Sequence, residues 1–440
     1  MLVVHAADLH IDSPLRGLGR IEGAPVADIR LATRRAFVRL IDDCLERSAA
    51  LLILAGDVFD GEWRDFNTGL FFVRQLARLR DVGARVVMLH GNHDAESTLS
   101  RHIPLPEHVH VLSAEAPETV EFEQLGLAVH GQSYISRVVV DNLAERYPPA
   151  RRGLLNIGAL HTNAVGASEH KNYAPCTVGQ LVRHGYDYWA LGHVHKRSVL
   201  HQQPWVVYPG NLQGRHVRET GPKGCTAITI EDGRIQDVRH RDMDVLRWAE
   251  VVIQLGPQTP AFGAPQPAAA SDAPDSIEGL LARVRRRLTQ VVYEAGGRPV
   301  IVRVVVTGAT RLHARLAANP APIQTQIRGV AADLGDVWPE KIRFSTRPLQ
   351  RGAPSRELLA LHQALRDEFA RLAVDDGALA NHLQALAPLS AGVAQYMEQR
   401  PDSAQQVRDQ LAEIESRLLG ALSLGAEANL AAADELEPRA

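Results

Sequence analysis

Short apolar runs recur through the first half of the chain, each ending in a polar or glycine-rich loop. They are LVVHAAD (residues 2–8), LLILAGD (51–57), ARVVMLHGNHD (84–94), LLNIGALH (154–161), YDYWALGH (186–193) and WVVYPGN (205–211). Each is partly β-branched and apolar at consecutive positions, as a strand buried on both faces should be. Helical spacing separates the early runs. Phe37, Leu40, Ile41, Cys44 and Leu45 fall on one helical face, and residues 67–83 repeat the pattern up to a closing glycine. Strand and helix in alternation predict an α/β sheet. Further on the pattern turns to hairpins at 119–131 and 225–241, the second with Asp232-Gly233 at its turn. A mixed two-sheet sandwich flanked by helices accommodates both patterns.

At residues 256–276 proline, alanine and glycine take over, which marks a linker or long loop. A smaller unit spans it, with strands expected at 250–255, 298–308 and 341–348 and a helix at 276–296. Past Pro354 the chain reads as helical. Leu358, Leu361, Leu365, Phe369 and Leu372 step by three and four, and so do Ala404, Val407, Leu411, Ile414 and Leu418. That seam suits a helical hairpin packed on its own protein or a docking surface for another helix. The expected organisation is an α/β domain over 1–245, a small α/β capping domain over 246–350, and a helical region over 351–440.

At 440 residues the chain is too long for one compact core. A formal net charge of −3 excludes a generally basic protein but not a local basic groove. Cys44, Cys176 and Cys225 are scattered, so neither a disulfide framework nor a CxxC zinc site is expected. Without a signal-like N-terminus or a membrane-spanning run, a reducing, cytoplasmic setting fits.

Most of the nineteen histidines read as surface residues. A subset sits at the ends of the expected strands. The first strand ends in Asp8-Leu9-His10, the second in Gly56-Asp57-Val58-Phe59-Asp60 and the third in Gly91-Asn92-His93-Asp94. Two later strands end in His161 and in Gly192-His193-Val194-His195. Ligands bind at the carboxyl ends of strands in open α/β sheets, so these residues should converge. Carboxylates, imidazoles and one amide oxygen, with no thiolate, suit manganese, iron or zinc. Their number exceeds a structural zinc site and suits two ions sharing a carboxylate. One such pair alone would mean a turn or a cap; all five in this order point to a metal site.

In that order and spacing residues 1–245 resemble the calcineurin-like metallophosphoesterase superfamily, whose pattern is DxH, GDxxD, GNHD or GNHE, a lone His and GHxH. Within it, HAADLHIDSPL (5–15), HTNAVGASEHKNYAPC (161–176) and YPGNLQGRH (208–216) resemble the SbcD-type DNA repair exonucleases, and most closely a YhaO-like branch. The protein phosphatases of the superfamily carry arginines after GDxxD and GNHE, whereas Gly61 follows Asp60 here and AEST follows Asp94.

The resemblance implies that Asp8, His10 and His195 hold one ion, that Asn92, His161 and His193 hold a second, and that Asp57 bridges them. It implies that His93 faces the leaving group as an acid, with Asp94 orienting it. Two divalent cations, Mn²⁺ foremost, would activate water and neutralise charge on the phosphate, and an imidazole can protonate a departing sugar oxygen. The implied activity is metal-dependent hydrolysis of DNA, with a homodimer and an SbcC- or YhaN-like coiled-coil ATPase as partners. A small-molecule phosphodiesterase or phosphatase, and a non-catalytic subunit with a structural metal site, are the alternatives. Asp60, Asp12 and His5 could support ligand histidines or serve turn and strand packing. Arg137, Lys171, Lys196, Arg197, Arg215, His216 and Arg218 could contact phosphates or be ordinary surface charge.

Overall fold

The structure is a computed structural model. It describes residues 1–13, 15, 23–60, 66–96, 104–164, 174–256, 276–349, 356–375, 377, 408, 411, 414, 415 and 418. The strands among them are β1 (Leu2–Ala6), β2 (Leu51–Ala55), β3 (Arg85–Leu89), β4 (Val109–Val111), β5 (Glu118–Phe122), β6 (Leu127–Gly131), β7 (Leu155–His161), β8 (Tyr188–Gly192), β9 (Ser198–Gln202), β10 (Trp205–Tyr208), β11 (Gly224–Glu231), β12 (Arg234–Asp242), β13 (Arg247–Leu255), β14 (Val300–Thr310) and β15 (Val337–Pro348). The helices that bear on the argument are α1 (Ala32–Glu46), α2 (Phe66–Arg78), α3 (Val178–Arg183), α4 (Ile277–Ala295), α5 (His313–Ala318), α6 (Ala321–Ala332) and α7 (Arg356–Val374).

The chain divides into two compact units. The first holds Met1–Glu250, Val291–Val302 and Asp336–Glu340; the second holds Val251–Gln290, Arg303–Gly335 and Lys341–Ala440. In the first unit two six-stranded sheets run β12-β11-β1-β2-β3-β4 and β5-β6-β7-β8-β10-β9. Both are mixed. β1 to β4 are parallel and so are β6, β7, β8 and β10; in the first sheet β11 pairs antiparallel with both β1 and β12, and in the second the edge strands β5 and β9 are antiparallel.

The period of two along each strand explains the layers. Val3, Leu51, Ile53, Val87 and Leu89 meet Val129, Ile157, Tyr188, Ala190 and Val207 in one cluster between the sheets. The alternate residues Val4, Leu52, Leu54, Val86 and Met88 face Phe37, Leu40 and Ile41 of α1 and Phe72 and Leu76 of α2. On the outside of the other sheet Leu160, Trp189 and Leu191 pack with Leu181 of α3. The result is the expected sandwich flanked by helices. A strand buried on both faces reads as an unbroken apolar run, which is why these strands are visible in the sequence. Both hairpins form, β5 with β6 and β11 with β12, the latter turning at Asp232-Gly233.

The smaller sheet runs β13-β14-β15. Within the second unit Leu280, Val284 and Leu288 of α4 are buried while Arg285, Arg286 and Arg287 are exposed. The arginine run is therefore a solvated face, and Arg285 pairs with Asp333 at 2.6 Å. In α7 the seam residues Leu365, Phe369 and Leu372 are half-buried, and Arg408 donates to the Ala373 carbonyl at 2.9 Å. Most of the second expected seam, and residues 257–275 of the linker, lie outside the described residues. Among the described residues no helix is long and apolar enough to cross a membrane.

Candidate metal centre

β1, β2 and β3 are adjacent and parallel, as are β7 and β8, so each trio or pair delivers its loops to one sheet edge. The loops after β1 and β2 then run on together: Asp8 N–H donates to Gly56 O, His10 N–H to Asp57 O and Ile11 N–H to Val58 O at 2.9–3.1 Å. His161, the last residue of β7, crosses to the other sheet and donates Nδ1–H to the Ala55 carbonyl at the end of β2 (2.9 Å). The His193 N–H, after β8, reaches both carboxylate oxygens of Asp8 at 3.0–3.1 Å. These bonds bring all seven expected ligands into one cluster.

The close approach explains two glycines. A Cβ on Gly91 would collide with the Asp57 carboxylate, and one on Gly192 with the Ala55 carbonyl. Asp8, His10, Asp57 and His193 adopt φ of 51°, 43°, 52° and 99°. For non-glycine residues such a conformation costs about 1–3 kcal/mol each, and it is held here by the surrounding backbone bonds.

Three groups of possible ligand atoms form, each within 4.8 Å of one another: Asp8 with His10 and His195, Asp57 with His161 and His193, and His10 with Asp60 and His93, of which the first two hold the expected ligands. His161 Nε2 lies 3.1 Å from Asn92 Oδ1 and 3.3 Å from Asp57 Oδ2. With Nδ1–H committed to Ala55, Nε2 faces two oxygen acceptors, and the three atoms are satisfied either by a proton on Nε2 or by a cation that they share. Burial works against protonating His161, but the Asp57 carboxylate outweighs it and raises its pKa. Asp57 itself would be raised by burial, yet His161, His10 and His93 hold it well below the usual carboxylate range.

The other group tells the same story. His10 Nε2 and His195 Nε2 face each other at 3.2 Å, with Asp8 Oδ1 3.7 Å from the latter. His195 Nδ1 is bonded to Glu219 Oε1 at 2.7 Å, and His10 Nδ1 faces Asp60 Oδ1 at 3.4 Å. Burial and then Arg215 push the His10 pKa down to about 3, so its imidazole is neutral. Burial pushes Asp8 up to about 6, against the pull of His195 and His161. Asp57 Oδ2 is 4.0 Å from His10 Nε2 as well as close to His161, which places this carboxylate between the groups. Seven oxygen and nitrogen donors in two clusters around one carboxylate fit two divalent cations.

The geometry redraws one expected pairing. Asp94 was to orient His93, but its fully buried carboxylate accepts the backbone N–H groups of Val58, Phe59 and Gly91 at 2.9–3.1 Å. It clamps the third-strand loop to the second. The carboxylate at His93 Nδ1 is that of Asp60, 3.2 Å away. Successive side chains in a tight turn point in different directions, so the Asp94 role implied by the resemblance is not made by this carboxylate's hydrogen bonds. Asp60 also accepts Ser13 Oγ–H at 2.7 Å. Its pKa, which burial would raise, is held well below the usual range by His10, Ser13 and Arg215.

Asp12 belongs to packing: Arg34 grips it through Nε (2.6 Å) and Nη2 (2.5 Å), and Thr68 donates to it. His5 is a fully buried strand residue whose Nδ1 meets Tyr188 Oη at 3.0 Å across the sandwich. Arg215 is drawn into the site between Glu219 and Asp60, whereas Arg218 stays exposed and Lys171 lies outside the described residues. Glu219 was missed altogether. It sits in the loop between β10 and β11, three residues past the YPGNLQGRH stretch (208–216) and outside the strand-end motifs that marked the ligands.

Comparison with known proteins agrees with this geometry. A family model described as calcineurin-like phosphoesterase matches residues 1–197, and one described as metallophosphoesterase YhaO, middle domain, matches residues 270–347. The chain is 35% identical over 312 residues to the uncharacterized metallophosphoesterase YhaO of Bacillus subtilis, covering 69% of this chain and 71% of that protein. It belongs to the calcineurin-like metallophosphoesterases, in the YhaO branch. A more distant relative is the DNA double-strand break repair protein Mre11 of Methanopyrus kandleri, 26% identical over 256 residues, which are 53% of this chain and 51% of that protein. As a metallophosphoesterase the chain falls among phosphoester hydrolases that work with divalent metals, and the paired clusters are where its residues can hold them.

Proposed function

We propose that this metallophosphoesterase is a DNA nuclease, an exonuclease of DNA repair in the cytoplasm, that hydrolyses phosphodiester bonds with two Mn²⁺ ions. The observation that carries the reading is the Asp57 carboxylate between two sets of facing acceptors, with His93 beside them. Asp8, His10 and His195 would hold one ion, Asn92, His161 and His193 the other, and Asp57 both. Bound there, the ions supply an acidified water and charge neutralisation on the phosphate.

The protein's own residues do the rest. The Ala55 carbonyl and the Glu219 carboxylate take the Nδ1–H protons of His161 and His195 and turn their Nε2 lone pairs inward. Asp60 at His93 Nδ1 leaves Nε2 to carry the proton given to the departing sugar oxygen. His93 is one-third exposed (32% of its side chain), open enough to meet a polymer, and its ring stands 5.1 Å from that of His10.

DNA as substrate is supported by the more distant relative, the DNA double-strand break repair protein Mre11, and by the sequence resemblance. The same resemblance supports a homodimer and a coiled-coil ATPase partner of SbcC or YhaN type, docked on the helical region after residue 355. Deleting residues 355–440 should then abolish co-purification with that ATPase while hydrolysis of a small phosphodiester persists. The deciding experiment is cleavage of end-labelled DNA with Mn²⁺, with Mg²⁺ and with chelator. Mn²⁺-dependent release of nucleotides from DNA ends is expected. Turnover of nucleotides with none of DNA would replace the reading with a small-molecule phosphodiesterase.

A further inference from the structure

Glu219 stands behind the metal centre, not in it, and its surroundings are one-sided. The carboxylate is buried, with 6% of its side chain exposed. Oε1 takes a bond from His195 Nδ1 (2.7 Å) and one from Arg215 Nη2 (3.1 Å). Oε2 takes one from Asn211 Nδ2 (2.8 Å) and one from the Arg215 backbone N–H (2.8 Å). Arg215 and Asn211 can only donate at these atoms, and a carboxylate can only accept. Arg215 Nη2 also lies 3.2 Å from His195 Nδ1, but the shorter approach of Nδ1 to the carboxylate needs a proton on Nδ1, so all four bonds to Glu219 hold only if His195 donates through Nδ1–H and Arg215 Nη2 spends its proton on Oε1.

We propose that Glu219 is a positioning residue of the metal centre: it fixes His195 as the Nδ1–H tautomer and so holds the Nε2 lone pair towards Asp8 and His10. A neutral imidazole carries one proton, and placing it on Nδ1 clears Nε2 for a cation. Without the carboxylate the ring can place the proton on Nε2, where it blocks coordination. The assignment rests on the two-ion reading, in which His195 is a ligand. It adds that the half-site of Asp8, His10 and His195 depends on a side chain outside the expected ligand set, whereas the half-site of His161 leans on a main-chain carbonyl.

Glu219→Gln tests this, because the amide NH₂ must face donors whichever way round it sits. Manganese titration by calorimetry and the electron paramagnetic resonance spectrum are read together. Wild-type protein should bind two ions and give the spectrum of a coupled pair. The folded variant should keep one ion, bind the second about 10–100-fold more weakly, as loss of an outer partner of a ligand histidine does, and show the spectrum of an isolated ion. Two ions bound with wild-type affinity by the variant would overturn the proposal. A wild-type protein that binds a single ion would instead remove the two-ion reading.

The tautomer of His195 in the metal-free wild-type protein decides the Glu219 assignment separately, even if the variant fails to fold. Long-range ¹H–¹⁵N spectra above the titration range of the ring should show the proton on Nδ1, and a proton on Nε2 overturns the assignment.

Discussion

The two halves of the metal centre hold equivalent histidines by different means. His161 is fully buried and its Nδ1–H is fixed by a main-chain carbonyl, Ala55, at the end of a neighbouring strand. His195 is 24% exposed and its Nδ1–H is fixed by a side-chain carboxylate, Glu219, on a loop. The first support is neutral and follows from the strand geometry itself; no substitution at position 55 removes it. The second is anionic and can be changed by a single codon. One half is therefore a property of the fold and the other a property of a side-chain network.

The comparison breaks entirely at the shared ligand. Asp57→Ala removes the carboxylate common to both halves, so metal content should fall and hydrolysis drop to background. Elemental analysis showing two ions, with activity retained, would dissolve the distinction between halves, since neither would depend on the bridge.

His93→Ala is the next largest. It leaves both halves intact, so two ions should still be bound and DNA affinity nearly unchanged, while turnover of DNA falls by ~10²–10⁴-fold, the usual contribution of a general acid. A nitrophenyl phosphodiester, whose leaving group departs without a proton, should lose much less. Equal losses on both substrates would exclude the acid role, and a missing ion would move His93 into the ligand set.

Asp60→Asn reaches the half of Asp8, His10 and His195 and the acid, because Asp60 faces both His10 Nδ1 and His93 Nδ1. A loss of roughly 10–100-fold in turnover, with weaker binding of one ion, is expected. Weakening of both ions alike, in a metal titration, would contradict the separation of the halves.

Smallest is Asp12→Asn. Its grip by Arg34 lies outside both halves, so the rate should stay at the wild-type value while thermal unfolding reports a loss of about 1 kcal/mol, typical of a partly exposed ion pair. A change in metal stoichiometry would bring Asp12 into the site.

Much of this was legible in the sequence. Strands buried on both faces gave continuous apolar runs, and polar residues directly after them marked the sheet edge. β4 and β9 were not legible: β4 has only three residues and β9 is an edge strand, SVLHQ, with a largely polar or exposed pattern. Helices α5 and α6 fall in a stretch where no periodic run stood out. At the site the ligand types were readable because each lies at or just past a strand end, several of them beside a glycine. What lies behind them was not. Glu219 is 24 residues beyond His195 and reaches it through a loop. The role of Asp94 beside His93 was implied by the family resemblance, but three backbone donors claim its carboxylate. Partners of ligands are set by tertiary approach, which one-dimensional spacing does not encode.

The left-handed backbone at Asp8, His10, Asp57 and His193 has an evolutionary consequence. Glycine is at ease in that conformation and asparagine tolerates it better than most residues. Replacements of those types at these positions would relieve local strain and dilute the buried charge while emptying the centre. Thermal stability in the metal-free state therefore favours decay of the catalyst, as expected where stability and activity oppose each other. A gene copy released from selection for hydrolysis would drift towards an inert, sturdier fold, and the ligand set persists only while its chemistry is being used.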